Sequence, residues 1–406
     1  MNLHIPKQHT QLTGELYLKG SKSISNRLLM IQAIGKLALD FENLSDSNDT
    51  RVLQQALSQQ ATSCIDIQNC GTAMRFLTVY LALTNYDGML TGDQRMCERP
   101  IQALVEALKQ LGCDITYTNQ AGYPPLAFKA SAHHNNEINI TADISSQFIT
   151  ALLLSAPLLK DGLHLHLQGD LVSQPYVKMS LKLMKQFGLN WQWDQQHIHV
   201  DAGYYQSEAK QFFVEGDWSS ASYWYSLVAI SKGASITLHG LEEHSMQGDS
   251  ILPYLYSFLG VKTVFNPNKS ITLTHSGYCA EYLLFDFSSN PDIAQTVAVT
   301  CTVLHVPCQL NGLQTLNLKE SKRIQTLARE LSKCGARCIT TEETLQIIDF
   351  EMNDEVVEIE TYGDHRIAMS FLPMCFRMPI TICDAEVVDK SYPNFFEDAQ
   401  KLGLNF

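Results

Sequence analysis

Ser21-Lys22-Ser23-Ile24-Ser25-Asn26-Arg27 sets small polar residues and two cations ahead of an apolar run. Ser in such a place caps a helix, because its hydroxyl accepts from a backbone N–H that has no partner inside the helix. The same grammar returns five times. Polar openings followed by apolar helical runs fall near Lys22, Gly71, Ser145, Ser219, Pro291 and Asp364, so the gaps, by subtraction, are 49, 74, 74, 72 and 73 residues. A recurring spacing of this kind marks a repeated supersecondary unit.

A second amphipathic helix follows each opening. Five of these reach a Gly suited to a left-handed cap: Arg99 to Gly112, Pro175 to Gly188, Gln247 to Gly260, Glu320 to Gly335, and Tyr392 to Gly403. Asp49 to Gln60 takes the role in the first copy, without the Gly. Alternating pieces such as Ile138-Asn139-Ile140, His197-Ile198-His199-Val200 and Ser270-Ile271-Thr272-Leu273 predict strands. A βαβαββ unit fits about 73 residues, and the first copy is short by 73 − 49, about 24, which predicts the loss of its last two strands. The expected fold is therefore α/β (α+β), with six units in two lobes of three and a break near Gly216-Asp217. A ring of helix starts presents free N–H groups and positive dipole ends, which suits anions.

Bulk composition narrows the function. A chain of 406 residues with 45% hydrophobic and 17% charged residues builds folded domains, and its net charge of −13 argues against a general affinity for nucleic acid or anionic membrane. An acidic protein that binds anions must concentrate its cations, so each Lys and Arg position is informative. Met1-Asn2-Leu3-His4-Ile5-Pro6 has no leader pattern, and the longest apolar stretch, Phe148 to Leu159, is too short to span a bilayer and reads as a buried helix. Eleven Cys include no CxxC pair, which predicts a reduced, cytoplasmic chain. Cys334 and Cys338 read as small buried residues of one helix. His133-His134, His164 with His166, and His197 with His199 invite a metal reading, but the latter pairs alternate with apolar residues and read as the solvated face of a strand.

Lys22, Ser23 and Arg27 combine a point charge, a hydroxyl and a bidentate fork, which suit a phosphate or carboxylate, although a solvated helix face would look similar. Asn69-Cys70-Gly71-Thr72-Ala73-Met74-Arg75 repeats the pattern, and Gly71 would let backbone approach a ligand. Gly92-Asp93-Gln94-Arg95-Met96-Cys97-Glu98-Arg99-Pro100 places two Arg before a helix with Pro at its start. Ser145-Ser146-Gln147 adds neutral donors. Asn290-Pro291-Asp292, Lys319-Glu320-Ser321-Lys322-Arg323 and Gly363-Asp364-His365-Arg366 supply carboxylates for proton transfer, or else an i, i+3 ion pair and a helix cap.

Taken in order, these blocks resemble the EPSP synthase family, the 3-phosphoshikimate 1-carboxyvinyltransferases. The resemblance runs from about Gly20 to Phe396 and includes Glu215-Gly216-Asp217 and Ser219-Ser220-Ala221-Ser222-Tyr223. It implies two lobes of βαβαββ units (an inside-out α/β barrel) closing over the substrates: residues 1–15 with 217–406, and residues 16–216. The implied reaction moves the enolpyruvyl group of phosphoenolpyruvate to the 5-hydroxyl of shikimate 3-phosphate by addition and elimination. By that resemblance, shikimate 3-phosphate contacts Lys22, Ser23, Arg27, Ser145, Ser146, Gln147, Ser173, Asp292 and Lys319. Phosphoenolpyruvate contacts Lys22, Gly71, Arg95, Gln147, Arg323, Arg366 and Lys390. Asp292 accepts the hydroxyl proton, Glu320 protonates the methylene carbon, and Lys22 supports the attacking oxygen. No metal or organic cofactor is implied, and the family's usual state is a cytoplasmic monomer.

The chain departs from the family at Phe76 and Gln94, where Pro is common, and at Lys322, where Asp is common. The sister enzyme that acts on UDP-N-acetylglucosamine carries a loop Cys, and Gln94 stands at that position. A silent anion-binding homologue is the other rival. The retained Lys22, Asp292, Glu320, Arg366 and Lys390 oppose it.

Overall fold

The apolar runs behind the polar openings become helices buried on nearly every side. Every residue of the helix Gly71–Leu83 except Thr72 is buried, as is every residue of Ser146–Ser155 except Gln147. A helix that is apolar all round belongs inside a core. The computed structural model that shows this describes residues 1–59, 61–132, 134–142, 145–351 and 355–406. The chain forms two compact units, Lys22–Val214 and Met1–Ser21 with Glu215–Phe406.

In the unit Lys22–Val214, two sheets repeat one topology. Cys64–Asp66 lies parallel to Gly88–Thr91, which pairs antiparallel with Leu126–Lys129, and Asp114–Tyr117 closes the edge. Glu137–Thr141, Leu163–Gln168, His197–Val200 and Trp191–Asp194 follow the same order. A parallel pair needs a crossover, and the buried helices Gly71–Leu83 and Ser146–Ser155 provide it. Among the described residues the first copy has a two-stranded sheet, Gln211–Phe213 parallel to Asp40–Glu42. Its helix Asn48–Ser58 runs almost directly into Cys64–Asp66, so the antiparallel pair of the other copies has no room. Gln60, the expected end of that helix, lies outside the described residues.

The other unit builds three sheets around one hydrophobic core. Thr13–Tyr17 lies parallel to Ser235–His239, followed by Ser270–His275 and Val261–Asn266. Leu283–Asp286, Cys308–Asn311, Leu345–Phe350 and Ala336–Thr340 repeat the order. The last sheet pairs Val357–Ile359 with Ile380–Ile382 and is completed by Leu3–Ile5 from the chain's start. The chain leaves this unit after Ser21 and returns at Glu215, with Gly20 and Gly216 bridged.

The five Gly that follow the second helices all adopt left-handed backbone, with φ from 87° at Gly260 to 104° at Gly403. One of them corrects the reading of the Cys pair. Gly335, at φ 88°, ends the helix Arg323–Lys333, so Cys334 caps it while Cys338 lies in the strand Ala336–Thr340. All eleven Cys are free thiols. Phe148 to Leu159 becomes the helix Ser146–Ser155 and a 3-10 turn, Ala156–Leu158. Among the described residues no helix is long and apolar enough to cross a membrane.

His164, His166, His197 and His199 share one sheet face, because Leu163–Gln168 and His197–Val200 pair with His199 opposite His164 and His197 opposite His166. The rings stack, His164 on His199 at 4.1 Å and His166 on His197 at 4.6 Å between centroids. Burial, with the neighbouring His199 and His197, holds His164 below the usual histidine range. His166 meets Glu137 at 2.7 Å and His199 meets Asp201 at 3.1 Å. Among the described residues no group of three or more His, Cys, Asp or Glu is arranged to hold a metal ion. His133 lies outside the described residues.

Candidate active site

The predicted residues gather as two clusters, one in each unit. In the unit Lys22–Val214 they stand at helix starts. Lys22 opens the helix Lys22–Gly35, and its Nζ lies 3.0 Å from the buried Asp49 carboxylate. Asp49 sits in the first turn of Asn48–Ser58, whose start is fixed by Ser47 accepting from the Thr50 N–H. A carboxylate there complements the helix dipole and attracts the ammonium.

Gly71 opens the next helix, capped by the Cys70 sulfur accepting from the Ala73 N–H. A Cβ on Gly71 would come 2.6 Å from Arg99 Nη1, so the glycine makes room for a guanidinium. Arg99 is buried, and its Nε has no hydrogen-bond partner among the described residues. Arg95, which the resemblance assigns to phosphoenolpyruvate, sits on the single helical turn Gln94–Cys97, is 45% exposed, and pairs with Glu98 at 3.3 Å. The sequence placed both Arg before Pro100 but could not show which one turns inward. Arg99 thus packs against Gly71, whose carbonyl also accepts from Arg75 Nη1 at 3.3 Å.

Gln147 donates to the Thr72 hydroxyl at 3.4 Å, and Ser145 accepts from the Gln147 N–H, capping the helix that buries Ser146. Ser173 has left-handed backbone, φ 53°, before Gln174–Gln186, and its hydroxyl makes no cap. A non-glycine residue held there is strained, which often accompanies a functional position. Arg27 is engaged within the unit: Nε donates to Ser180 at 2.8 Å, Nη1 to the Ser23 carbonyl at 2.7 Å, and Nη2 to the Tyr176 carbonyl at 3.2 Å. Burial brings this guanidinium down to about 10, still charged at neutral pH. Its first task is to tie Lys22–Gly35 to Gln174–Gln186.

The second cluster lies in the unit that holds the termini and is denser. Arg323, 1% exposed, lies 2.7 Å from Asp364, 2.7 Å from Glu320 and 3.5 Å from Asp292. Burial alone would lower its pKa, but Asp364, Glu320 and Asp292 together raise it above the ordinary value. Asp292 also meets Arg366 at 2.9 Å and Lys319 at 3.7 Å. Arg366 donates in addition to the Asp292 carbonyl, which fixes the turn Pro291–Ile293. Asp364 takes the cap role that the sequence left open, accepting from the Arg366 N–H at the start of His365–Ser370, and it also binds Arg323. Lys390 is buried at the end of the turn Ala385–Lys390. Such a cluster can bind an anion through Lys319, Arg323 and Arg366 while Asp292 and Glu320 exchange protons.

Residues 53–399 match the family model described as EPSP synthase (3-phosphoshikimate 1-carboxyvinyltransferase). A 3-phosphoshikimate 1-carboxyvinyltransferase of Bacteroides fragilis is 43% identical over 399 residues, covering 97% of this chain and 96% of that protein. One from a Marinomonas species is 36% identical over 415 residues, covering 96% of each. Among solved structures, an EPSP synthase from Acinetobacter baumannii shares the fold at a TM-score of 0.76 and 22% identity, covering 100% of this chain and 98% of that one.

Proposed function

The chain belongs to the EPSP synthase family, and we propose on that footing that it is an enzyme of the shikimate pathway, serving chorismate and aromatic amino acid biosynthesis. It transfers the enolpyruvyl group of phosphoenolpyruvate to the 5-hydroxyl of shikimate 3-phosphate and releases phosphate. The observation that carries this reading is the setting of Asp292, a carboxylate ringed by Lys319, Arg323 and Arg366. Both substrates carry a phosphate and a carboxylate, so a cation-rich site with one placed base matches their chemistry.

In the addition step the 5-hydroxyl oxygen attacks the central carbon of phosphoenolpyruvate. Asp292 takes the hydroxyl proton, and Glu320 gives a proton to the methylene carbon. In the elimination step a proton leaves the new methyl group, the double bond returns, and phosphate departs. Lys22, held by Asp49, supports the attacking oxygen. Ser23, Arg27, Ser145, Ser146, Gln147, Ser173, Asp292 and Lys319 serve shikimate 3-phosphate. Gly71, Arg95, Gln147, Arg323, Arg366 and Lys390 serve phosphoenolpyruvate, and Arg99 joins them because its guanidinium packs on Gly71.

The buried helices within each unit fit the family's inside-out α/β barrel. The enzyme is read as a cytoplasmic monomer that needs no cofactor. Its test is phosphate release from phosphoenolpyruvate that depends on shikimate 3-phosphate. Release with UDP-N-acetylglucosamine instead, or no release with either acceptor, overturns the assignment.

A further inference from the structure

Ser245-Met246-Gln247-Gly248-Asp249 carries a carboxyl that no step above uses. Asp249 sits in the 3-10 turn Gly248–Ile251 and is 3% exposed. Its Oδ2 accepts from the Ser219 hydroxyl at 2.5 Å, at the start of the helix Trp218–Ile230. Its Oδ1 accepts from the Asn290 amide at 3.3 Å. Asn290 immediately precedes the turn Pro291–Ile293 that presents Asp292. Asp249 thus braces the base of that turn from behind, while Arg366 holds its front through the Asp292 carbonyl and carboxylate.

We infer that Asp249 is a positioning residue for Asp292, fixing the turn through Asn290 and supporting the neighbouring base with its negative charge. The inference rests on the reading of Asp292 as the group that takes the hydroxyl proton. The charged groups that face Asp249 are Asp292, on the turn braced by Asn290, and Arg366, from His365–Ser370. Burial, then Asp292, push the Asp249 carboxyl up to about 6, against the Ser219 hydrogen bond, Arg366 and the Asn290 hydrogen bond, which favour its ionised form. A second negative charge behind Asp292 makes that carboxylate a better proton acceptor. When Asp249 takes up a proton the support is lost, although its hydrogen-bonded shape is kept.

The test is kcat against pH for the wild type, Asp249→Asn, Ser219→Ala and Asp292→Ala. Asn resembles a protonated Asp249. The wild type should therefore outpace Asp249→Asn by roughly threefold to tenfold at mildly alkaline pH. The ratio should shrink toward one as pH falls through about 6. Ser219→Ala removes a donor that favours the carboxylate, so its acid inflection should move to higher pH. A ratio that is constant with pH, together with an unmoved inflection in Ser219→Ala, overturns the inference and leaves a purely structural Asp249. Should Asp249→Asn fail to fold, the Ser219→Ala inflection decides alone. Near-normal turnover of Asp292→Ala removes the base itself and this inference with it, whereas a slow Asp292→Ala with a constant ratio removes only the inference.

Discussion

Arg323 and Asp364 form a two-pronged ion pair wholly inside one unit, Nε to Oδ2 at 2.7 Å and Nη2 to Oδ1 at 3.1 Å. The pair joins the start of Arg323–Lys333 to the start of His365–Ser370, and Ser321 adds a third donor to Asp364 at 3.0 Å. A guanidinium so deeply buried is tolerable only with its carboxylates present. Asp364→Asn keeps a cap-competent side chain but removes the charge, and should cost about 3 kcal/mol in urea unfolding. Asp364→Ala should cost about 1 kcal/mol more, through the lost cap. An Asn variant as stable as the wild type would show that the pair contributes nothing.

Asp292→Ala and Glu320→Ala should each lower kcat by about 10² to 10⁴, the usual worth of a placed acid or base. Substrate binding, followed by titration calorimetry, should persist, because Lys319, Arg323 and Arg366 remain. Near-normal turnover in either variant would remove that residue from the mechanism.

Arg99→Ala should weaken phosphoenolpyruvate binding by about 1.5 to 3 kcal/mol, seen as a raised KM. Arg95→Ala should also raise KM, by a smaller factor, since Arg95 is half-exposed and paired with Glu98. Gly71→Ala should imitate Arg99→Ala, because the added Cβ would lie 2.6 Å from Arg99 Nη1. A silent Arg99→Ala would remove Arg99 from the site.

Asp249 also links stability to pH. Its folded value, about 6, stands above the ordinary 3.8, so the folded state holds the proton more tightly than the unfolded chain. Its contribution to stability is complete below the ordinary value and is lost as pH rises through about 6. Asp249→Asn escapes that loss. Thermal melts should therefore show the variant gaining on the wild type between about pH 4 and pH 6, by roughly 3 kcal/mol at the plateau. A difference that does not change with pH would mean that Asp249 is ionised as easily in the folded state as in the unfolded chain.

Much of the fold was legible because its signals are local. A cap, an apolar run and a terminal Gly act within one helix, so Ser145 with Ser146–Ser155 and Gly188 after Gln174–Gln186 follow from neighbours in the chain. The shortened first copy was legible too, as a missing interval of about 24 residues. Strand partners from distant segments were not. Nothing near Leu3 announces Ile382, and nothing near Asp40 announces Gln211. Such pairings depend on which sheet edges are left open once the cores have formed.

The site divides along the same line. By itself the sequence determined the units, the helix openings and the supply of charged residues at those openings, because these depend on spacing and local hydrogen bonding. Only the tertiary structure decided which charges meet. It turned Arg99 rather than Arg95 toward Gly71, engaged Arg27 with Ser180 and Tyr176, and set Asp249 behind Asp292. Burial is the physical reason: away from water an ionised group must find partners, and those partners come from elements far apart in the chain.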